Sequence, residues 1–500
     1  MAEEAVLPKL DPMPPEMIEF TLLKTTGALA PRLGRIALAG RQNMVTPAYI
    51  GNTSRGIVPH ISQDNFRKTA DINGVYVPLE DFIEKHPQQV PPVLQYDVPN
   101  PLRRFIALPE DTLLVLGARR NPPIAGASPN TNTEVGLSTS VGFRSLSSEY
   151  YAAAVRRLQP DIVVALADIP FGQQTIGSRR KDKMSDRTET WLRDMIACKD
   201  TLDQGEKSWS IFAPILPLER DLQSWYLEHL LDDMVDHISG LAIYDTDLLD
   251  DLPLQLHHFP RLSLHAPASP HALLRQVGLG VDLFTVPFLA EATDAGIVLD
   301  FTFPPPAKHE STSTRQILGI DMWHEDHAIS VRPLSEGCTC YACTKHHRAY
   351  LQHLLAAKEM LGWVLIQLHN HAIIARFFQG VRASIDGGTF DADVAAFDAY
   401  YEPALPEKTG QGPRVRGYQF TSEEHAKKGK KNPTVYKNFD AEKMLGLKAA
   451  HGQQPNKKPE MRHVFDDQAL LGLVGMEELG IKADPDLPLG GLRLEHDGKA

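Results

Sequence analysis

Ser210-Ile-Phe-Ala-Pro-Ile215, Gly240-Leu-Ala-Ile243, Arg261-Leu-Ser-Leu264 and Leu283-Phe-Thr-Val286 follow one another at short, similar intervals. Each run is brief, and most are rich in Val, Ile and Leu. A strand with one wet face alternates apolar and polar residues; a continuous apolar run suits a strand covered on both faces, as in a parallel sheet. Working outward, runs of the same kind are Thr46–Ile50, Leu113–Leu116 and Asp161–Ala167 upstream and Ile297–Phe303 downstream. Helical patterns lie between them. Ser147–Leu158 opens on Ser-Ser-Glu, Ser185-Asp-Arg-Thr188 precedes Trp191, Leu192 and Met195, and Ser269 caps a helix with Pro270 at its first position. Leu222–Val235 has near-helical spacing. Repeated βα units without a glycine-rich dinucleotide fingerprint predict an α/β protein built as a (β/α)8 TIM barrel, with another α/β layer fold as the alternative.

The 500 residues carry 51 Lys/Arg and 63 Asp/Glu, a formal net charge of −12, and 42% are hydrophobic. That apolar content supports a sizeable core and excludes disorder along the whole length. No apolar run approaches the ~18 residues that cross a bilayer. The opening Met1-Ala-Glu-Glu4 has no apolar region of a signal peptide, and four cysteines are too few for a disulfide framework, so a cytoplasmic location is expected. The expected organisation is a barrel over 1–330, a metal-binding subdomain with closing helices over 331–400, a flexible basic segment over 401–465 and a tail over 466–500. Between Pro406 and Arg462 there are 13 Lys/Arg against 6 Asp/Glu, a charge run that reads as a solvated loop or a phosphate-contacting segment. The short apolar run ending Asp466–Val474 could dock back on the body.

Three of the four cysteines fall in Cys338-Thr-Cys-Tyr-Ala-Cys343, a C-x-C-x2-C cluster. A soft divalent ion such as Zn2+ takes four ligands in a tetrahedron. A tight loop supplies three thiolates, and a neighbouring helix commonly supplies the fourth. Leu368-His-Asn-His371 lies on the long apolar helical stretch His346–Ile385, read as one helix or two, whose predicted buried face is Leu351, Leu354, Leu355, Leu361, Val364, Leu365 and Leu368. His369 is the first choice for the fourth ligand and His371 the second; three buried thiols beside a core histidine is the bland alternative. Four protein ligands close the shell, which predicts one structural Zn2+ per chain. His324, His327, His346, His347 and His353 read as surface or supporting groups, and Cys198 as a small core residue.

The run Cys338–Cys343, followed by Arg348-Ala-Tyr350, His353-Leu-Leu355, Glu359-Met-Leu361 and Leu368-His-Asn370, resembles the zinc-binding region of the tRNA-guanine transglycosylases. Arg32-Leu-Gly-Arg-Ile36, Val45-Thr-Pro47 and Gly280-Val-Asp-Leu-Phe284 extend the likeness over most of 28–385. Members of that family are (β/α)8 barrels that exchange an anticodon guanine for queuine or its precursor. The resemblance implies that His369 is the last zinc ligand. The chemistry requires a carboxylate to attack ribose C1′ as the base leaves, a second carboxylate to manage protons, and a base presented out of its stack.

Here the family's positions are altered. The nucleophile's place after the Gly-Val-Asp strand is Thr285, and the second acid's stretch reads Thr139-Ser-Val-Gly-Phe-Arg144. The base-reading acid falls on Ala167, with Asp168 adjacent, and Tyr244-Asp245 replaces the Gly-Gly base platform. A neutral threonine hydroxyl without an adjacent base is a poor nucleophile. The resemblance therefore implies a non-catalytic accessory subunit with no catalytic residues of its own. It would pair as a heterodimer with a catalytic queuine tRNA-ribosyltransferase subunit and help to hold tRNA, without integral membrane insertion. The family likeness adds peripheral attachment at the mitochondrial outer membrane to the expected cytoplasmic location. Arg103-Arg104, Arg119-Arg120, Arg179-Arg180-Lys181, Lys427-Lys428 and Lys430-Lys431 are the cationic candidates for RNA phosphates. Asp168, Asp245 and Asp282 read as structural carboxylates. Two rival readings are a divergent transglycosylase with its acids relocated to those three positions, and an unrelated zinc barrel hydrolase.

Overall fold

The computed structural model describes residues 17–83, 90–125, 129–139, 142–172, 175–306 and 315–413. The basic segment beyond residue 413, with Lys427-Lys428, Lys430-Lys431 and Asp466–Val474, lies outside the described residues.

Eight parallel strands close into a barrel, each hydrogen-bonded to the next in chain order and the last to the first. They are β1 (Ala48–Asn52), β2 (Gly74–Pro78), β3 (Leu113–Gly117), β4 (Ile162–Val164), β5 (Ser210–Ile215), β6 (Gly240–Ile243), β7 (Arg261–Ser263) and β8 (Leu283–Thr285). The ring is sealed where Leu283, Phe284 and Thr285 pair with Ala48, Tyr49 and Ile50. Seven of the eight predicted runs supply barrel strands. Ile297–Phe303 does not: its Ile297–Leu299 portion pairs antiparallel with Gly319–Asp321, outside the ring. Its place is taken by β2, whose five residues are all buried. Gly74 and Pro78 bracket only three apolar residues there, so the run resembles a turn fragment in sequence.

Alternate strand residues fill the interior, with Ile50, Tyr76, Val115, Val164, Phe212, Ala242, Leu262 and Leu283 in one cluster. The opposite faces pack on helices, among them α1 (Ser148–Leu158), α2 (Ser178–Asp200), α3 (Pro270–Gly278) and α4 (Pro287–Ala295). Ser147 and Ser269 cap α1 and α3 as read from sequence, accepting from the amides of Tyr150 and Ala272. The predicted start of α2 at Ser185 is wrong by two turns. Ser185 and Thr188 are interior tethers instead: the Ser185 hydroxyl donates to Leu222 O, and Thr188 Oγ1 accepts from the amide of Asp168.

An antiparallel sheet of Glu19–Thr25, Arg32–Ala37 and Met44–Thr46 covers the N-terminal ends of the strands. Two buried ionic clasps fasten this end. Asp282, just before β8, accepts from Arg32, from the Arg261 amide at 2.8 Å and from Thr46 Oγ1 at 3.3 Å. Asp161, just before β4, is held by Arg41, Arg103 and Lys207 and by the Leu114 amide at 2.9 Å. β4 and β8 are four strands apart, so the clasps stand on opposite sides of the ring. Burial alone would raise the pKa of Asp161; the Arg41 hydrogen bonds and the charges of Lys207, Arg103 and Arg41 outweigh it and hold the carboxyl below its ordinary value.

After the barrel come α5 (Tyr341–Lys345), α6 (Arg348–Ala356) and α7 (Met360–Gly387). The long helical stretch is thus two helices plus a short one at the cysteines. α7 runs against the Ile297–Leu299 strand and α4. At Gly380 a Cβ would lie 1.7 Å from Phe303 O, so only glycine permits this approach. The expected buried face holds at Leu351, Leu354, Leu355, Leu365 and Leu368; Leu361, in the first turn of α7, is exposed.

Candidate metal centre and barrel mouth

The cysteine loop places three sulfurs around one ring nitrogen. His369 Nδ1 lies 3.7 Å from Cys338 Sγ, 3.4 Å from Cys340 Sγ and 3.3 Å from Cys343 Sγ. All four donor atoms fall within 4.8 Å of one another. A tetrahedral ion at ordinary Zn–S and Zn–N bond lengths sets its N···S edges at ~3.5 Å, so this donor set fits such an ion. The loop turns into α5, with Cys340 at the helix cap accepting from the Cys343 amide. The other ring nitrogen of His369 donates to Leu299 O at 2.9 Å, which leaves Nδ1 with its lone pair toward the sulfurs. Asn370 completes the seat. Its side chain accepts from the Leu299 amide and donates to Thr293 Oγ1 and Ile297 O. Cysteines bind metal as thiolates, and the three sulfurs here converge on one ring nitrogen.

His371, the second choice, is not at the cluster. Two residues along a helix is about 200°, so it faces the other way. Its Nδ1 meets Tyr49 Oη at 3.3 Å and its Nε2 accepts from Gln367 at 3.1 Å. Burial pushes its pKa down to about 3, so the ring is neutral. The surrounding histidines have other work: His324 and His347 cap short helices, and His346 stacks on Tyr350. Cys198 is half-buried, its thiol directed at Ala152 O.

The C-terminal ends of the strands form the mouth, where barrel enzymes carry their chemistry. Thr285 ends β8 there, fully buried, its hydroxyl accepting from Asn121 Nδ2. Asp168 is also fully buried, but Arg180 and Arg187 pair with it and Asn130 donates to it at 2.6 Å. Asp245 caps the short helix Thr246–Asp251 and lies 3.6 Å from His265. Asp282 sits at the opposite end of β8, in its clasp. Asp168 and Asp282 are thus engaged in buried ion pairs, and Asp245 in a helix cap. Asp245, Asp247 and His265 converge as a second possible metal group. However, the Thr246 amide donates to His265 Nδ1, and Asp247 pairs with Arg275.

Sequence reasoning missed the closing of the mouth. Tyr76, Arg119, Phe171 and Tyr244 crowd a pocket with about 30 Å³ of water-accessible space. Small-molecule sites enclose ~300 Å³ or more. Tyr76 Oη donates to Arg119 O at 2.7 Å, Arg119 lies over the Phe171 ring, and Phe171 packs at 6.4 Å from Tyr244. Gly117 makes room for this, because a Cβ there would lie 2.0 Å from Tyr76 Oη. The one legible signal was Tyr244 in place of a glycine.

Several cationic candidates for RNA are spent internally. Arg103 is buried on Asp161, Arg120 pairs with Glu80 and Asp81, and Arg180 with Asp168. Arg104 and Arg179 remain exposed.

The family model described as "Queuine tRNA-ribosyltransferase" matches residues 28–403. The chain belongs to this family. Among curated relatives, "Queuine tRNA-ribosyltransferase accessory subunit 2" of Schizosaccharomyces pombe is 34% identical, over 78% of this chain and 87% of its own length. Proteins of the same name from Drosophila mojavensis and Gallus gallus are 26% and 25% identical, covering 73% and 74% of this chain. The match spans both the barrel and the cysteine loop. Among the described residues no helix is long and apolar enough to cross a membrane.

Proposed function

We propose that this chain is the non-catalytic accessory subunit of a heterodimeric queuine tRNA-ribosyltransferase, supporting the exchange of guanine for queuine at the anticodon wobble position of tRNA. The observation that carries the reading is Thr285: a neutral, fully buried hydroxyl stands at the end of β8 where the family resemblance calls for the attacking carboxylate. The nearby acids offer no substitute, since Asp168 is locked between two arginines and Asp282 faces the far end of the barrel. The pocket at the mouth, with about 30 Å³ of water-accessible space, is also far smaller than the ~300 Å³ or more of small-molecule sites. The names carried by the yeast, fly and chicken relatives agree with an accessory role.

On this reading a catalytic homologue supplies the nucleophile, and this barrel supplies surface for the heterodimer and the tRNA. Cys338, Cys340, Cys343 and His369 hold one structural Zn2+, which would pin the loop to α7; with four protein donors no position is left to activate water. The complex works in the cytoplasm, with any attachment to the mitochondrial outer membrane peripheral. The deciding experiment measures labelled-queuine incorporation into tRNA by the purified chain, by its catalytic homologue and by the two together. Incorporation is expected only when the homologue is present and is strongest with both. Turnover by this chain alone would overturn the proposal.

A further inference from the structure

Among the described residues, Arg119 stands at the barrel mouth without a carboxylate partner. Its neighbours do not: Glu80 is taken by Arg120, and Asp168 by Arg180, Arg187 and Asn130. Those two carboxylates are the acidic groups whose charge reaches the Arg119 guanidinium. Among the described residues, Arg119 makes no ion pair or side-chain hydrogen bond, only its contact with the face of Phe171, at 5.1 Å. Arg119, Arg120, Arg180 and Arg187 thus confront Glu80, Asp81 and Asp168, an excess of positive charge on a chain that is acidic overall. Burial raises the pKa of Glu80 against the opposing pull of Arg120. Arg119 is half-buried, and desolvation by its surroundings pushes its pKa down. Beside it, Tyr244 is pushed up to about 12 by burial, so its hydroxyl stays protonated and able to donate. The pocket they line has about 30 Å³ of water-accessible space. A single water needs ~10–15 Å³ on that measure, so the room suits a compact polyatomic ion and excludes a purine.

We propose that the closed mouth is an oxyanion site, in which Arg119 and Tyr244 hold a phosphate-type group. A planar guanidinium with free N–H donors matches the oxygens of such a group, and a phenol adds one more donor. The site stands on the pocket's own geometry and does not depend on the accessory-subunit reading. The ion can come from free inorganic phosphate or from the backbone of a bound RNA.

The first test follows thermal unfolding of the purified full-length chain in potassium phosphate against potassium chloride at matched ionic strength. A saturable rise in Tm with phosphate is expected. Arg119→Gln should weaken the response at least about tenfold, the scale of losing a charged hydrogen bond, and Tyr244→Phe should weaken it less. Circular dichroism verifies that each variant is folded. If Arg119→Gln does not fold, Tyr244→Phe and phosphorus-31 line broadening on the unaltered chain carry the test. A second arm titrates an anticodon stem-loop RNA onto the complex with the catalytic homologue at several salt concentrations. If the ion is an RNA phosphate, Arg119→Gln lowers the salt slope by about one; if it is free phosphate, the slope is unchanged while the phosphate-dependent Tm rise is lost. No phosphate response in the unaltered chain together with an unchanged salt slope, or an undiminished response in folded Arg119→Gln, would sink the proposal.

Discussion

The cysteine loop and the barrel mouth are assembled in the same way, from residues far apart in sequence, and they differ in what they retain. At the loop, three thiols and His369 converge at distances that fit a tetrahedral ion. At the mouth, the hydroxyl of Thr285 and a stack of Tyr76, Arg119, Phe171 and Tyr244 stand where a reaction would need a carboxylate and space. Strand β8 shows the same contrast over four residues: Asp282 at its foot is charged and fully engaged, while Thr285 at its head is neutral. Framework and chemistry are separable because they draw on different side chains. Packing and metal ligation hold the barrel's shape whether or not an acid stands at the end of β8.

The largest effect is expected at the loop. Cys340→Ala should reduce bound zinc to near zero, measured by metal analysis, and melt the region from Cys338 to Gly387, because the free energy of binding a structural metal is folding free energy. Stoichiometric zinc with an unchanged melting curve would erase the distinction between loop and mouth. Next, Asp282→Ala should cost about 3–5 kcal/mol in denaturant unfolding, since it strands buried Arg32 beside Arg261. A loss under 1 kcal/mol would mean that the clasp contributes little.

Acid should then distinguish the two ends of the barrel. The native pKa of Asp161 is depressed, so its clasp stabilises the fold fully above the unfolded value of about 3.9, and that contribution fades as pH falls through the lower native value. Asp161→Asn should therefore be less stable than the unaltered chain at neutral pH, with the gap narrowing below pH ~4. A gap independent of pH in acid unfolding would contradict the ionic account. The smallest effect is expected at the mouth. Thr285→Ala should leave queuine incorporation by the assembled complex within about twofold, because a hydroxyl without a base does no nucleophilic work. A large loss would restore chemistry to this barrel.

Much of the fold was legible. The buried strands of a parallel barrel are continuous apolar runs, and Ser147 and Ser269 announced their helices through short-range capping that depends on a few neighbouring residues. Gly74–Pro78 and Ile297–Leu299 were exchanged because both are short buried strands. Nothing local records which of two such runs pairs with Ala48–Asn52 and which with Gly319–Asp321. Ser185 and Thr188 misled for a related reason: a hydroxyl that caps a helix and one that tethers its interior look alike until the partner is known.

By itself the sequence determined the cysteine spacing, the likeness that singled out His369 over His371, the missing acids at Thr285 and Ala167, and the run of βα units. These are matters of residue type and local spacing. Tertiary structure alone decided that Arg103, Arg120 and Arg180 are spent on internal carboxylates, that Asp282 and Asp161 clasp opposite sides of the barrel foot, and that Tyr76 and Arg119 close the mouth. A charge or an aromatic ring carries no mark of its partner in the sequence; its role is fixed only when folding brings distant groups within a few ångströms and removes the water between them.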